Sequence, residues 1–347
     1  MNIGYALIPL VFAALVVVAV TPLLIRLGRR YSLYDEADDR KVHPHGISRL
    51  GGIGITAALG LAGLAAMQWG DYPFTGRLAS GLGIGLAPVF LVSLWDDLKS
   101  LPWWVRLGVQ AVGAGLFAVI VPPMDRLNLP LVGTFELGFW SYPLVVAWLV
   151  LTTNAINFID GLDGLAAGIA AIAGVVFMIA SFRAGFVVTM ALSASLVGAC
   201  LGFLPYNFPP ARIFMGDSGS TVLGFVLGVI ALVGAGKNVA LVSLLVPFIA
   251  LGIPILDTIG AIIRRTYRGR SIFEADRRHI HHRLLSLGLG YRRTVVLLYL
   301  VSALLGGIAL LLATGPRMSA LFIVTLVAAC FLLFFSGRRG SSVQEPR

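Results

Sequence analysis

Charge is what this sequence has least of. Asp, Glu, Lys and Arg make up 12% of its 347 residues, about half the share of a typical soluble domain. That scarcity excludes a soluble fold with a solvated charged surface. Cysteine is nearly absent: Cys200 and Cys330 are the only two, and both fall in apolar stretches, which excludes a disulfide framework and a thiolate metal site. No internal repeat of the kind that marks many transporters is present. Acids are outnumbered by bases, 16 to 26. The resulting net charge of +10 does not point to nucleic acid, because basic residues in membrane proteins collect on the cytoplasmic side.

What abounds is apolar. Hydrophobic residues are 58% of the chain, in stretches that recur along its whole length, each of about 20 residues and able to cross a ~30 Å hydrocarbon core as a helix. The pattern predicts an all-α polytopic membrane protein. Eleven transmembrane helices are expected, at roughly 5–27, 50–70, 78–95, 103–121, 139–156, 164–182, 185–204, 219–235, 239–263, 294–313 and 317–336. Residues 1–336 read as one transmembrane domain and 337–347 as a disordered cytoplasmic tail. The first stretch, Ile8 to Ile25, exceeds a signal-peptide core, and its basic residues Arg26, Arg29 and Arg30 follow it, so it reads as a membrane helix.

An odd number of spans puts the termini on opposite faces. The face holding the C-terminus carries 21 of the 26 Lys and Arg, all except Arg77, Arg126, Arg183, Lys237 and Arg317. By the positive-inside rule that face is cytoplasmic and the N-terminus lies outside. The same face collects all five histidines and all acids except Asp71, Asp125 and Glu136. The active site is therefore expected in the cytoplasmic loops. Pro122 to Gly138 reads as a small external hairpin.

Four polar motifs stand on the cytoplasmic side. Asp96 and Asp97, followed by Lys99, end the third span. Adjacent helical residues point about 100° apart, so the two carboxylates do not easily share one role, and a charged helix terminus is the plain alternative. Asn154, Asn157, Asp160 and Asp163 recur every third residue, which on a helix forms one stripe. Their hard oxygens suit Mg²⁺, with a structural polar seam between helices as the alternative. In the run Phe214-Met-Gly-Asp-Ser-Gly-Ser, Asp217 reads equally as the cap of the next helix and as part of a phosphate site at its N-terminus. His279, His281 and His282, set among Arg277, Arg278 and Arg283, suit a diphosphate, since the arginines oppose Zn²⁺. Asp257, inside the ninth span, reads either as functional or as a hydrogen-bonded partner of another helix. The first loop holds Asp35, Asp38, Asp39, Arg40, Lys41, His43, His45 and Arg49 before Gly51-Gly52. Alone it is a solvated linker; beside the other motifs it is a cover for the site.

Together Asp96-Asp97, Asn157-Phe-Ile-Asp160-Gly-Leu-Asp163-Gly, Phe214-Met-Gly-Asp217-Ser-Gly-Ser and His279-Ile-His-His282-Arg-Leu-Leu resemble the motifs of the polyprenyl-phosphate N-acetylhexosamine-1-phosphate transferases, in order and in loop placement. The resemblance covers nearly the whole chain. It implies transfer of a HexNAc-1-phosphate, GlcNAc-1-phosphate first among them, from a UDP-sugar to undecaprenyl phosphate, with release of UMP. It implies a multi-pass protein of the cell inner (plasma) membrane that opens a cell-envelope polysaccharide pathway and requires Mg²⁺, with Mn²⁺ as the alternative ion. It casts Asp96, Asp97, Asp160 and Asp163 as catalytic, the first two handling the lipid phosphate. Asp217 is cast as the principal metal ligand with Asp160 beside it. Asn154, Asn157, Asn207, Phe214, Lys99, Arg106, His279, His281, His282 and Arg283 are cast as substrate-binding. The expected partners are the UDP-N-acetylhexosamine, the undecaprenyl lipid and the membrane, with no nucleic acid and with a homodimer left open. The His-Ile-His-His form resembles the GlcNAc-1-phosphate branch (enterobacterial antigen, O-antigen and teichoic acid linkage enzymes). The phospho-MurNAc-pentapeptide branch typically carries three consecutive histidines, so Ile280 speaks against a peptidoglycan role. An intramembrane aromatic prenyltransferase is the rival class, but its carboxylates usually follow an Asn-Asp-xxx-Asp pattern, unlike the spacing here.

Overall fold

A computed structural model of the chain describes residues 3–31, 33, 47–67, 73–122, 126–129, 133–235, 249, 251–267 and 280–314. Its helices are α1 (Gly4–Arg30), α2 (Gly51–Met67), α3 (Pro73–Leu98), α4 (Trp103–Ile120), α5 (Ser141–Ile159), α6 (Leu165–Ala184), α7 (Val187–Asn207), α8 (Gly216–Ala235), α9 (Gly252–Tyr267), α10 (Ile280–Ser286) and α11 (Tyr291–Thr314). Between α4 and α5 the strands β1 (Arg126–Leu129) and β2 (Gly133–Glu136) pair antiparallel, with Arg126 opposite Glu136. This is the hairpin expected from the sequence, and it qualifies the all-α expectation.

Among the described residues, eight helices are long and apolar enough to cross a membrane: α1, α3 from Gly76, α4, α5 with the turn before it, α6, α7, α8, and α11 to Leu311. The protein is a polytopic helical membrane protein. Of the three other expected spans, 50–70 contains the shorter α2. The span 239–263 is described only at 249 and from 251 onward, and 317–336 lies outside the described residues, as does the expected tail.

Burial separates inner helices from lipid-facing ones. In their most apolar stretches α6 and α7 are 72% buried and α8 78%, against 28% for α1, α3 and α4. Helices that are apolar all round sit inside the bundle or against lipid, and lipid offers no hydrophobic drive between them, so close backbone approach holds them together. The α5–α8 contact is of this kind. A methyl group at Gly224 would stand 2.5 Å from the Thr152 carbonyl oxygen, and one at Gly228 would overlap the Thr152 hydroxyl. Across the same contact the Trp148 indole N–H donates to the Gly228 carbonyl at 3.0 Å. α8 also packs on α3, α2 and α6, so its first turn is met from several sides.

Candidate active site

The first turn of α8 is built against two segments distant in sequence. The stretch 48–52, which leads into α2, runs beside 214–215. The Phe214 N–H donates to Ser48 O at 2.8 Å, the Gly51 N–H to Phe214 O at 3.1 Å and the Gly52 N–H to Met215 O at 2.8 Å. There α2 and α8 touch backbone to backbone, for a methyl at Gly219 would stand 3.0 Å from the Gly52 Cα. Gly216 takes φ +73°, and any side chain on it would meet an Asp97 oxygen at 2.5 Å and the Arg49 carbonyl at 2.6 Å. Only glycine meets both demands.

The end of α3 supplies the second wall. Asp97 Oδ1 accepts the Asp217 N–H at 2.7 Å and Oδ2 the Ser218 N–H at 2.9 Å. Asp96 turns elsewhere, accepting the Leu101 N–H at 2.5 Å and Arg106 Nη1 at 2.8 Å. The same Arg106 nitrogen reaches Asp217 Oδ2 at 2.9 Å. The neighbouring carboxylates thus have separate tasks, as their angular separation requires. One expectation is corrected: Asp217 does not cap α8 with its side chain. Asp97 does so from another helix, which frees the Asp217 carboxylate to face Arg106.

The end of α5 supplies the third wall. Asn154 Nδ2 donates to Gln110 Oε1 at 2.5 Å and to Val150 O at 2.8 Å, and Asn157 Nδ2 donates to Ser220 Oγ on α8 at 3.0 Å. The helical stripe ends sooner than its spacing predicts. α5 stops at Ile159, Asp160 leaves helical geometry at ψ 44°, and Gly164 takes φ +76°. Asp163 is therefore off the stripe and accepts the Ala211 N–H at 3.0 Å. Asn207, buried at the end of α7, accepts the Gly164 N–H and donates to Ile213 O, both at 3.0 Å. The Tyr299 hydroxyl donates to Gly164 O at 2.6 Å. These bonds latch the turn 160–164 to the loop 208–215, which holds Phe214 half-buried beside Ser48.

Asp160 stands where the walls meet. Its carboxyl is pushed up to about 8, first by burial and then by the charges of Asp217, Asp97 and Asp163, while Arg49 acts in the opposite direction. Such crowding of carboxylates marks a place short of positive charge. Among the described residues no three His, Cys, Asp or Glu side chains form a ready metal cage. The donors fit a hard divalent ion of the Mg²⁺ type, which binds through one or two carboxylates and takes its other ligands from water and substrate phosphates. Asp217 and Asp160 offer the two carboxylates.

Of the other expected site residues, Lys99 is exposed just beyond α3 and Arg283 is exposed on α10. His279 lies outside the described residues. His281 and His282 belong to α10, with their side chains outside the description. Asp257 turns out to be a buried helix partner, accepting the Ile280 N–H at the start of α10 at 3.0 Å. Gln110 and Tyr299 escaped the sequence reading, and Ser220 entered it only as the end of the Phe214–Ser220 run. Gln110 alone had a signal, as a polar residue four places after Arg106 on the same face of an apolar helix.

The model of glycosyl transferase family 4 matches residues 79–235, the stretch from within α3 to the end of α8 that holds the second and third walls and α8 itself, while the stretch 48–52 precedes it. Across 318 residues the chain is 37% identical to the probable undecaprenyl-phosphate N-acetylglucosaminyl 1-phosphate transferase of Bacillus subtilis (strain 168), covering 91% of this chain and 87% of that protein. The chain belongs to glycosyl transferase family 4. Other relatives show the family's breadth. The decaprenyl-phosphate N-acetylglucosaminephosphotransferase of Mycolicibacterium smegmatis is 36% identical over 92% of this family 4 chain and 86% of its own. The phospho-N-acetylmuramoyl-pentapeptide-transferase of Moorella thermoacetica is 33% identical over 80% and 90%.

Proposed function

We propose that this family 4 protein transfers GlcNAc-1-phosphate from UDP-GlcNAc to undecaprenyl phosphate, releasing UMP, as the first membrane step of a cell-envelope polysaccharide pathway. The observation that carries the reading is the convergence of Asp97, Asp160 and Asp217, from three separate motifs, on one place at the helix ends. The GlcNAc-transferring relatives cover more of the chain than the muramoyl-pentapeptide relative does, and Ile280 interrupts the histidine run. The same reading includes eleven spans in the inner (plasma) membrane, the N-terminus outside, and the site and C-terminus on the cytoplasmic side.

The reaction exchanges one phosphoanhydride for another, so the protein's task is positioning and charge neutralisation. Asp217 and Asp160 would hold the Mg²⁺ ion, which when bound supplies positive charge to the phosphates. Arg106 and Arg49 are the chain's own cations beside the same carboxylates. A phosphate monoester with a second pKa near 6 is largely dianionic at pH 7, so the lipid phosphate attacks the β-phosphorus of the UDP-sugar without first losing a proton. The bond from that phosphorus to the bridging oxygen breaks, and UMP leaves with its electron pair. A phosphorylated enzyme, isolated after incubation with UDP-sugar alone, would refute direct attack.

The test uses purified protein in detergent with undecaprenyl phosphate, Mg²⁺ and labelled UDP-GlcNAc, UDP-GalNAc or UDP-MurNAc-pentapeptide. Lipid-soluble product and UMP are expected from UDP-GlcNAc, and are expected to vanish with EDTA and in Asp217→Ala. Product from the muramoyl donor alone would move the protein to peptidoglycan synthesis. No product from any donor, in a folded preparation, would overturn the assignment.

A further inference from the structure

We infer that Asp96 and Asp97 are positioning residues that act on Asp217 rather than on the lipid phosphate. The inference rests on the proposed role of Asp217 as a metal ligand. The first N–H groups of a helix have no acceptor within it, and in α8 those of Asp217 and Ser218 are taken by the two oxygens of Asp97. A carboxylate placed there is also favoured by the helix dipole. It occupies the seat at a helix N-terminus that a phosphate otherwise takes. The seat is shaped for it, since Gly216, at φ +73°, lacks the side chain that would collide with that carboxylate. Asp96 grips the same residue by another route. It holds Arg106 at 2.8 Å, and Arg106 holds Asp217 Oδ2 at 2.9 Å. One carboxylate therefore fixes the Asp217 main chain and the other, through Arg106, its side chain. Two neighbouring residues that point in different directions thereby converge on one ligand.

Outer partners of a metal ligand change metal affinity by about 10–100-fold when removed. The experiment measures Mn²⁺ binding by electron paramagnetic resonance on the full-length protein without either substrate, together with hydrogen exchange at the Asp217 and Ser218 amides. In Asp97→Ala, Mn²⁺ affinity is expected to fall about tenfold or more and the two amides to exchange faster. Asp97→Asn keeps a single acceptor oxygen, so it is expected to protect one of the two amides and to hold Mn²⁺ more tightly than Asp97→Ala but less tightly than wild type, and to turn over with the wild-type pH profile. Asp97→Asn also carries the test if Asp97→Ala does not yield folded protein. The inference is overturned if either variant binds Mn²⁺ as tightly as wild type with both amides still protected. A fall in its turnover with loss of the acid limb of the pH profile would then put Asp97 on the lipid phosphate. Mn²⁺ affinity and amide exchange are read without transferase activity, so a failure of the proposed reaction leaves this test standing.

Discussion

At Asp160 one side chain reports the state of the whole site. Burial and its acidic neighbours push its carboxyl up to about 8 from the 3.8 of an unperturbed aspartate, so the metal-free folded protein keeps a proton there that the unfolded chain has lost. The stability this contributes is full below the unfolded value and is lost as pH rises through about 8. Metal-free protein should therefore melt at a lower temperature at pH 8.5 than at pH 6, and Asp160→Asn should remove most of that drop when both are followed by scanning fluorimetry. A divalent ion displaces the proton, so its stabilising effect should grow across the same interval in wild type and not in the variant. An equal pH dependence in the two proteins would mean that Asp160 is not the group that titrates. That Asp160 and Asp217 come together was legible from their motifs. Their partners were not, because Asp97 meets Asp217 across 120 positions of chain, and a motif carries no record of what lies opposite it.

The elements around the site were legible where periodicity extends over a whole span, and less so at their ends. The three-residue spacing correctly put Asn154 and Asn157 on one helix face. It overran at Asp160 because the chain leaves helical geometry there, at ψ 44°, and reverses at Gly164, at φ +76°, and that turn brings Asp163 to the Ala211 N–H. Asn207 shows what holds the resulting turn. Its two hydrogen bonds join the start of α6 to the loop before α8. Asn207→Ala would leave a buried N–H and a buried carbonyl unpaired, at about 1–3 kcal/mol for each. A lower melting temperature and loss of turnover are expected together, while Asn207→Asp, which keeps the acceptor but loses the donor, should fall between. A melting temperature unchanged by Asn207→Ala would remove the latch from this account. The resemblance to the transferases cast this residue as substrate-binding; burial and two backbone partners are tertiary facts that a motif does not carry.

For the whole molecule, the distribution of arginine gave the proposed orientation before any helix was placed. In a variant with Cys200 and Cys330 replaced, Asn128→Cys in the hairpin should react with a membrane-impermeant maleimide on intact cells, and Ser100→Cys beyond α3 only after permeabilisation. The reverse labelling would invert the topology and put the carboxylates on the wrong side for a cytoplasmic nucleotide sugar. The contact of Gly52 with Gly219 carries a mechanical consequence. Two main chains in van der Waals touch have no flexible side chain between them to act as a spring. Helices answer a thicker or thinner bilayer by tilting, at a cost of fractions of a kcal/mol per ångström of mismatch. Because α2 and α8 are joined at their N-terminal ends, they must tilt about that joint as a pivot, and the adjoining carboxylates lie where the displacement is smallest. The geometry of the site is thereby insulated from changes in membrane thickness.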